Sequence, residues 1–415
     1  MSRVRAARLL GSAAVLAVSV AAAAATAVPP AAADTAAVIG ADNGTGGGGE
    51  RGPAPAAATV FAAGGEGYAS FRIPAVVAAA NGDLLAFAEG RKGGPSDTGD
   101  IDLVLKRSAD KGRTWGPLTV VGDNGANTFG NPVPVVVPRT GRVVLLSTHN
   151  AGTVDEDQIL RGEASAEETR RVWVQHSDDN GGTWSAPRDI TGDAKRGDWR
   201  WYATGPVHGI ALRSGPHAGR LVVPANHSAA PAPGSGDQGD EAKYYGAHLL
   251  YSDDAGASWH IGAVDDSYEG EVNTNESTVA ELPDGRLHVN HRDQNGTAAG
   301  TRAVSLSTDG GESFASPPTM APDLVGPVVQ GSVLQPRGGP LLFSGPGRAD
   351  ARADLVLRAS SDNGESWADA HAAPPGPAGY SDLVALGGRS VGVLYETGES
   401  GLYERIAFLP VPLRR

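Results

Sequence analysis

The sequence carries one short phrase five times. SADKGRTW begins at Ser108, SDDNGGTW at Ser177, SDDAGASW at Ser252, STDGGESF at Ser307 and SSDNGESW at Ser360. The shared pattern is Ser-x-Asp-x-Gly-x-(Ser/Thr)-aromatic, and repetition of this kind is the mark of an array of similar structural units. In each copy the Asp can accept nearby backbone amides, the Gly can take positive φ, and the aromatic ring can cover the turn with apolar surface. A strand-like run precedes each copy: DLVLKRS, RVWVQHS, AHLLYS, AVSLS and DLVLRAS. Each copy therefore predicts a β-hairpin and, taken alone, no chemistry.

A second hairpin type alternates with the first, two apolar runs around a Gly-containing turn. FRIPAVVAAANGDLLAFAEGR, GNPVPVVVPRTGRVVLLSTHN and ESTVAELPDGRLHVNHR are three of its six instances. Together the two types make units of about four strands that recur roughly every 55 to 75 residues. The prediction is an all-β chain folded as a six-bladed β-propeller with four-stranded antiparallel blades. The last unit has no Asp repeat of its own and ends at LYERIAFLPVPL, so the segment around TVFAAGG is expected to complete it.

Residues 1–33 read as a signal peptide, with Arg3, Arg5 and Arg8 ahead of an Ala-rich apolar run and a small-residue cleavage site, which predicts a secreted protein. Residues 34–58 are rich in Ala, Gly and Pro and read as a disordered tether, leaving 59–415 for the propeller. Cysteine is absent, so the fold is held without disulfides. The formal net charge is −13, which with no basic stripe argues against nucleic acid or an anionic membrane as partner. Any anion must be met by a local cluster of arginines. The histidines show no HExxH or similar spacing, and the Asp repeats lack the length and terminal Glu of a calcium loop, so neither metal nor cofactor is expected. A monomer is the default.

Residues equidistant from a hairpin turn lie opposite each other, and this register gathers a candidate site. Counting from Asn81-Gly82 puts Arg72 opposite roughly Arg91, with Asp97 in the loop beyond. Counting from Asp284-Gly285 puts Glu276 opposite Arg292 or its neighbour, and from Gly387-Gly388 puts Tyr380 opposite Glu396 or its neighbour. All lie at the open ends of their hairpins, which in a propeller converge on one face, and Arg352 should approach the same face. Several arginines, carboxyls and one tyrosine in one place suggest an anionic substrate and acid/base chemistry.

With these residues assembled, the chain resembles the secreted bacterial exo-α-sialidases, or neuraminidases. FRIP at Phe71 to Pro74 is similar to the family's signature tetrapeptide, the five repeats resemble its Asp-boxes, and WYATGPVHGIAL from Trp201 resembles a segment of actinobacterial members. The resemblance implies hydrolysis of terminal α-linked sialic acids from sialylated glycans, with net retention through a tyrosyl-enzyme intermediate. It implies Tyr380 as nucleophile, Glu276 as its partner base and Asp97 as acid/base. It further implies Arg72, Arg292 and Arg352 as the carboxylate triad, with Arg358 the alternative to Arg352 within RADARADLVLR. Glu396 would hold Arg72, Arg91 would join the substrate-binding residues, and Asn131 would lie at the acyl-amino pocket. An intramolecular trans-sialidase releasing an anhydro sugar would use the same residues. A carbohydrate-binding propeller would keep the repeats without the chemistry.

Overall fold

A computed structural model describes residues 56–268, 272–294 and 302–413 of the chain. The expected signal peptide at 1–33 and nearly all of the expected tether at 34–58 lie outside the described residues.

The repeated phrase folds the same way each time. Ser108 Oγ donates to Asp110 Oδ1 at 2.8 Å and accepts the amide of Gly112 at 2.8 Å. Asp110 in turn accepts the amides of Arg113 and Thr114 and the Thr114 hydroxyl. The corresponding bonds recur at Ser177, Ser252, Ser307 and Ser360. The turn needs its glycine, whose φ runs from 80° at Gly181 to 94° at Gly364, a region that side chains rarely tolerate. Donation by Thr114 and Ser108 holds the Asp110 carboxyl down to about 2, so this lock stays charged across the ordinary pH range.

The strands form six antiparallel groups, five of four strands and the third with a fifth short strand, Ile210–Ala211, paired to Leu221–Ala229. The first joins Ser70–Ala78, Leu84–Arg91, Ile101–Ser108 and Thr119–Gly122, and the second joins Thr128–Val136, Val143–Asn150, Arg171–Ser177 and Arg188–Asp189. By hydrogen bonding these two make one eight-stranded sheet, but only through a single parallel pairing of Ile101 with Thr128. The third group starts at Trp199–Thr204, the fourth at Thr274–Glu281 and the fifth at Ser332–Leu334. The sixth is Ala378–Gly387, Ser390–Thr397, Arg405–Pro412 and then Ala58–Ala62, so the N-terminal strand closes the last blade.

Six hydrophobic clusters fill the six junctions between neighbouring groups. Phe87 and Leu103 meet Phe129 and Leu145 between the first and second, and Phe71 and Val76 meet Leu394 and Phe408 between the sixth and first. Around the axis a ring of hydrogen bonds links each group to the next. It runs through Asn131 N to Glu89, Thr204 Oγ1 to Asn131 O, Ser277 N to Gly205 O, Val333 N to Thr278 Oγ1, Ser381 N to Gln330 and Val76 N to Asp382. Asp382, fully buried, binds three groups besides its own through Val76 N, His208 Nδ1 and Ser332 Oγ. Radial packing of sheets with an axial polar ring is the propeller that the repeats predict.

Candidate active site

The site lies where the innermost strands begin, and a local irregularity aims its first arginine. The Ser70–Ala78 strand carries a bulge between Arg72 and Ala75, and Ile73 within it has φ of 58°. A β-branched residue at positive φ is strained unless its surroundings hold it there. Here Glu396 does so, accepting the amide of Ile73 at 3.0 Å and Arg72 Nε at 3.2 Å on one oxygen. Its other oxygen accepts the amide of Tyr380 at 3.1 Å. One fully buried carboxylate thus fixes the first arginine, its bulge and the tyrosine's backbone.

The next blade repeats the device. A bulge between Gly130 and Val133 puts Asn131 at φ of 53°, and its amide donates to Glu89 at 2.8 Å. Each carboxylate reaches its target past a glycine, since a Cβ at Gly130 would stand 2.3 Å from Glu89 Oε1 and one at Gly379 would stand 2.5 Å from Glu396 Oε2.

The resulting cavity, of about 280 Å³, is lined by five arginines and four carboxyls. Tyr380 Oη donates to Glu276 Oε1 at 2.5 Å, and Arg292 Nη1 donates to Glu276 Oε2 at 2.9 Å and to Tyr380 Oη at 3.4 Å. Asp97 reaches in from the loop after the first hairpin, with its Oδ1 3.2 Å from Arg72 Nη1 and 2.8 Å from Arg91 Nη2. Arg91 is itself seated on Glu89 and on the carbonyls of Pro95 and Ser96. Arg352 donates to Tyr403 Oη at 3.3 Å, and both it and Arg72 approach the Tyr380 ring face. Arg72 Nη2 and Arg292 Nε are buried donors without an acceptor among the described residues.

Burial and the Glu276 charge push the Tyr380 phenol well above its usual value, although Arg292, Arg72 and Arg352 pull the other way. The phenol is therefore neutral at rest, with a carboxylate in position to take its proton. The cavity walls partly desolvate the exposed Asp97 carboxyl and so raise it, but Arg91 and Arg72 outweigh this and hold the group below its ordinary value. Asp97 is thus ionised in the free protein, and 60% of its side chain is exposed.

Eight of the nine residues singled out in the sequence line this cavity, and the ninth, Glu396, stands directly behind Arg72. Arg358 is elsewhere, bonded to Asp369 and the Val325 carbonyl, so Arg352 is the arginine at the site. The register differs in one detail: the bulge sets Arg72 opposite Glu89, and Arg91 faces Ser70. The counts from the other two turns hold to within a residue, with Ser277 opposite His291 and Ser381 opposite Tyr395.

Several lining residues carry no sequence signal of that kind. Glu156 begins a short helix in the loop before Arg171 and accepts from Tyr245 Oη. Arg170 bonds Asn131 Oδ1 at 2.6 Å and lies 4.1 Å from the Trp201 ring centre. Tyr403 comes from the connection ahead of Arg405–Pro412, the third strand of the sixth blade. Trp201 lies in the WYATGPVHGIAL segment, and Thr204, Gly205 and His208 of that segment bond within the axial ring.

Residues 82–393 match the BNR repeat-like domain family. The chain is 33% identical to a sialidase of Micromonospora viridifaciens over 81% of its length, and 32% identical to an exo-alpha-sialidase of Aspergillus fumigatus over 80%. It spans about half of the first relative (51%) and 80% of the second. Among solved structures, a Hadza microbial sialidase superposes with a TM-score of 0.73 at 28% identity, covering 86% of this chain and 68% of that one. The intramolecular trans-sialidase of Ruminococcus gnavus gives 0.69 at 21% identity, covering 86% and 97%, a likeness of fold.

Proposed function

The chain belongs to the sialidase family, and we propose on that footing that it is an exo-α-sialidase, releasing terminal α-linked sialic acids from glycans with retention of configuration. The observation that carries this reading is the Tyr380 to Glu276 hydrogen bond set among three arginines. A sialic acid bears its carboxylate on the anomeric carbon, so binding calls for permanently charged planar donors, and guanidinium supplies bidentate bonds that an ammonium cannot. Arg72, Arg292 and Arg352 take that role. An Asp or Glu nucleophile would approach this carboxylate as a like charge, whereas a neutral phenol meets no such repulsion.

Tyr380 Oη attacks the anomeric carbon as its proton passes to Glu276, while Asp97 delivers a proton to the departing glycosidic oxygen. In the second step Asp97 takes a proton from water, the water oxygen displaces the tyrosyl oxygen, and Glu276 returns the proton to the phenol. Two inversions give net retention, the tyrosine route standing as a known exception to the two-carboxylate rule. Asp97 must first gain a proton that Arg72 and Arg91 disfavour. A substrate carboxylate seated on Arg72 offsets part of that field and raises Asp97 toward its working range.

Export from the cell is supported by the basic and then apolar stretch at the N-terminus. No helix among the described residues is long and apolar enough to cross a membrane.

Proton NMR of sialyllactose treated with the enzyme tests the assignment through the first sialic acid released. Free α-anomer ahead of mutarotation is expected. A 2,7-anhydro product or first-formed β-anomer would overturn the hydrolytic, retaining reading.

A further inference from the structure

The three arginines are not held alike. Arg72 has Glu396 and Asp97, and Arg292 has Glu276, but Arg352 has no carboxylate within ion-pairing distance among the described residues. Its bonds are to Tyr403 Oη at 3.3 Å and, at 3.4 Å, to the carbonyl of Val328. The same tyrosine lies 4.2 Å from the Arg72 guanidinium at its ring centre, closer than the Tyr380 ring at 5.2 Å. Tyr403 therefore meets one arginine with its face and another with its hydroxyl.

Resting on the sialidase reading, we infer that Tyr403 is a positioning residue for the substrate carboxylate, setting the spacing of Arg72 and Arg352. An aromatic face attracts a guanidinium without neutralising it, and a phenol oxygen accepts its N–H without adding charge. A carboxylate at this place would bind the arginines itself and compete with the substrate's own anion. Tyrosine orders both cations and leaves their charge for the ligand. Tyr403 is only partly buried, so its replacement leaves the blade junctions intact.

Calorimetric titration with free sialic acid, which has the carboxylate but no aglycone, tests the inference on Tyr403→Phe, Tyr403→Leu, Arg352→Lys and the Tyr403→Phe/Arg352→Lys pair, alongside kcat on sialyllactose. Tyr403→Phe keeps the ring and loses one acceptor, so Kd should rise about 3- to 10-fold while kcat stays within about 2-fold. Tyr403→Leu loses the ring contact too and should weaken binding further. In the Arg352→Lys background the Phe change should add little, because the interaction it removes is already gone. Unchanged Kd in Tyr403→Phe with weakened binding in Arg352→Lys would overturn this role for Tyr403 and leave the site standing. Unchanged Kd in Arg352→Lys as well would overturn the carboxylate site itself.

Discussion

The two ends of the propeller serve opposite purposes. At the turn end five blades repeat one Ser, Asp and Gly arrangement almost bond for bond. At the open end each contribution differs: Arg72 and Asp97 from the first blade, Asn131 from the second, Glu276 and Arg292 from the fourth, Tyr380 and Glu396 from the sixth. Sameness at one end supplies geometry, because identical turns make blades that can stack around an axis. Difference at the other supplies chemistry, because a site needs unlike groups in one place. Charge follows the same division, since a chain of net charge −13 collects five arginines around one cavity.

If that division holds, changes at the open end should alter turnover and leave stability nearly intact, and changes at the turn end should do the reverse. Tyr380→Phe is the most severe case: kcat on sialyllactose should fall by about 1000-fold or more, as for loss of other catalytic nucleophiles, with sialic acid binding retained. Asp97→Asn comes next, with a loss of about 100- to 10,000-fold on the same substrate. An aryl sialoside, whose phenolate leaves without protonation, should lose far less. In the wild type Asp97 sits below its ordinary value when free and is raised when substrate occupies Arg72, so its protonated fraction persists to higher pH in the complex. On a natural sialoside, where cleavage is the slow step, activity should therefore fall with rising pH later for kcat than for kcat/KM. Asp97→Asn should remove that limb from both.

Arg292→Lys replaces a fork by a point charge and should weaken sialic acid binding by about 10- to 100-fold in a titration. The smallest effect on activity belongs to the turn end. Ser252→Ala removes the buried acceptor of Gly256 N and should cost about 1 to 3 kcal/mol in urea unfolding, with kcat/KM unchanged. A large fall in kcat/KM from Ser252→Ala, or a large loss of stability from Tyr380→Phe, would break the division.

Much of this architecture was legible because it is periodic. The Asp repeats announce hairpins, and counting from Asp284-Gly285 and Gly387-Gly388 brings Glu276 to Arg292 and Tyr380 to Glu396. The count from Asn81-Gly82 drifted because a bulge inserts a residue, and no residue type advertises a β-branched Ile73 at φ of 58°. That conformation depends on Glu396, 323 positions away in the chain. Glu156, Arg170 and Tyr403 stayed hidden for a related reason. They sit in or beside connections, where neither strand alternation nor turn counting assigns a direction to a side chain. The axial role of Asp382 was equally invisible, since its partners come from three other blades.

The central claim is that the open end makes Tyr380 a nucleophile, and trapping the covalent intermediate tests it most directly. The enzyme would be treated with a fluorinated sialosyl fluoride, which departs readily and turns over slowly, then digested and mapped by mass spectrometry. The account predicts one sialyl adduct, on Tyr380, absent from Tyr380→Phe. An adduct on Asp97 or Glu276, or none while natural sialosides are still hydrolysed, would contradict it.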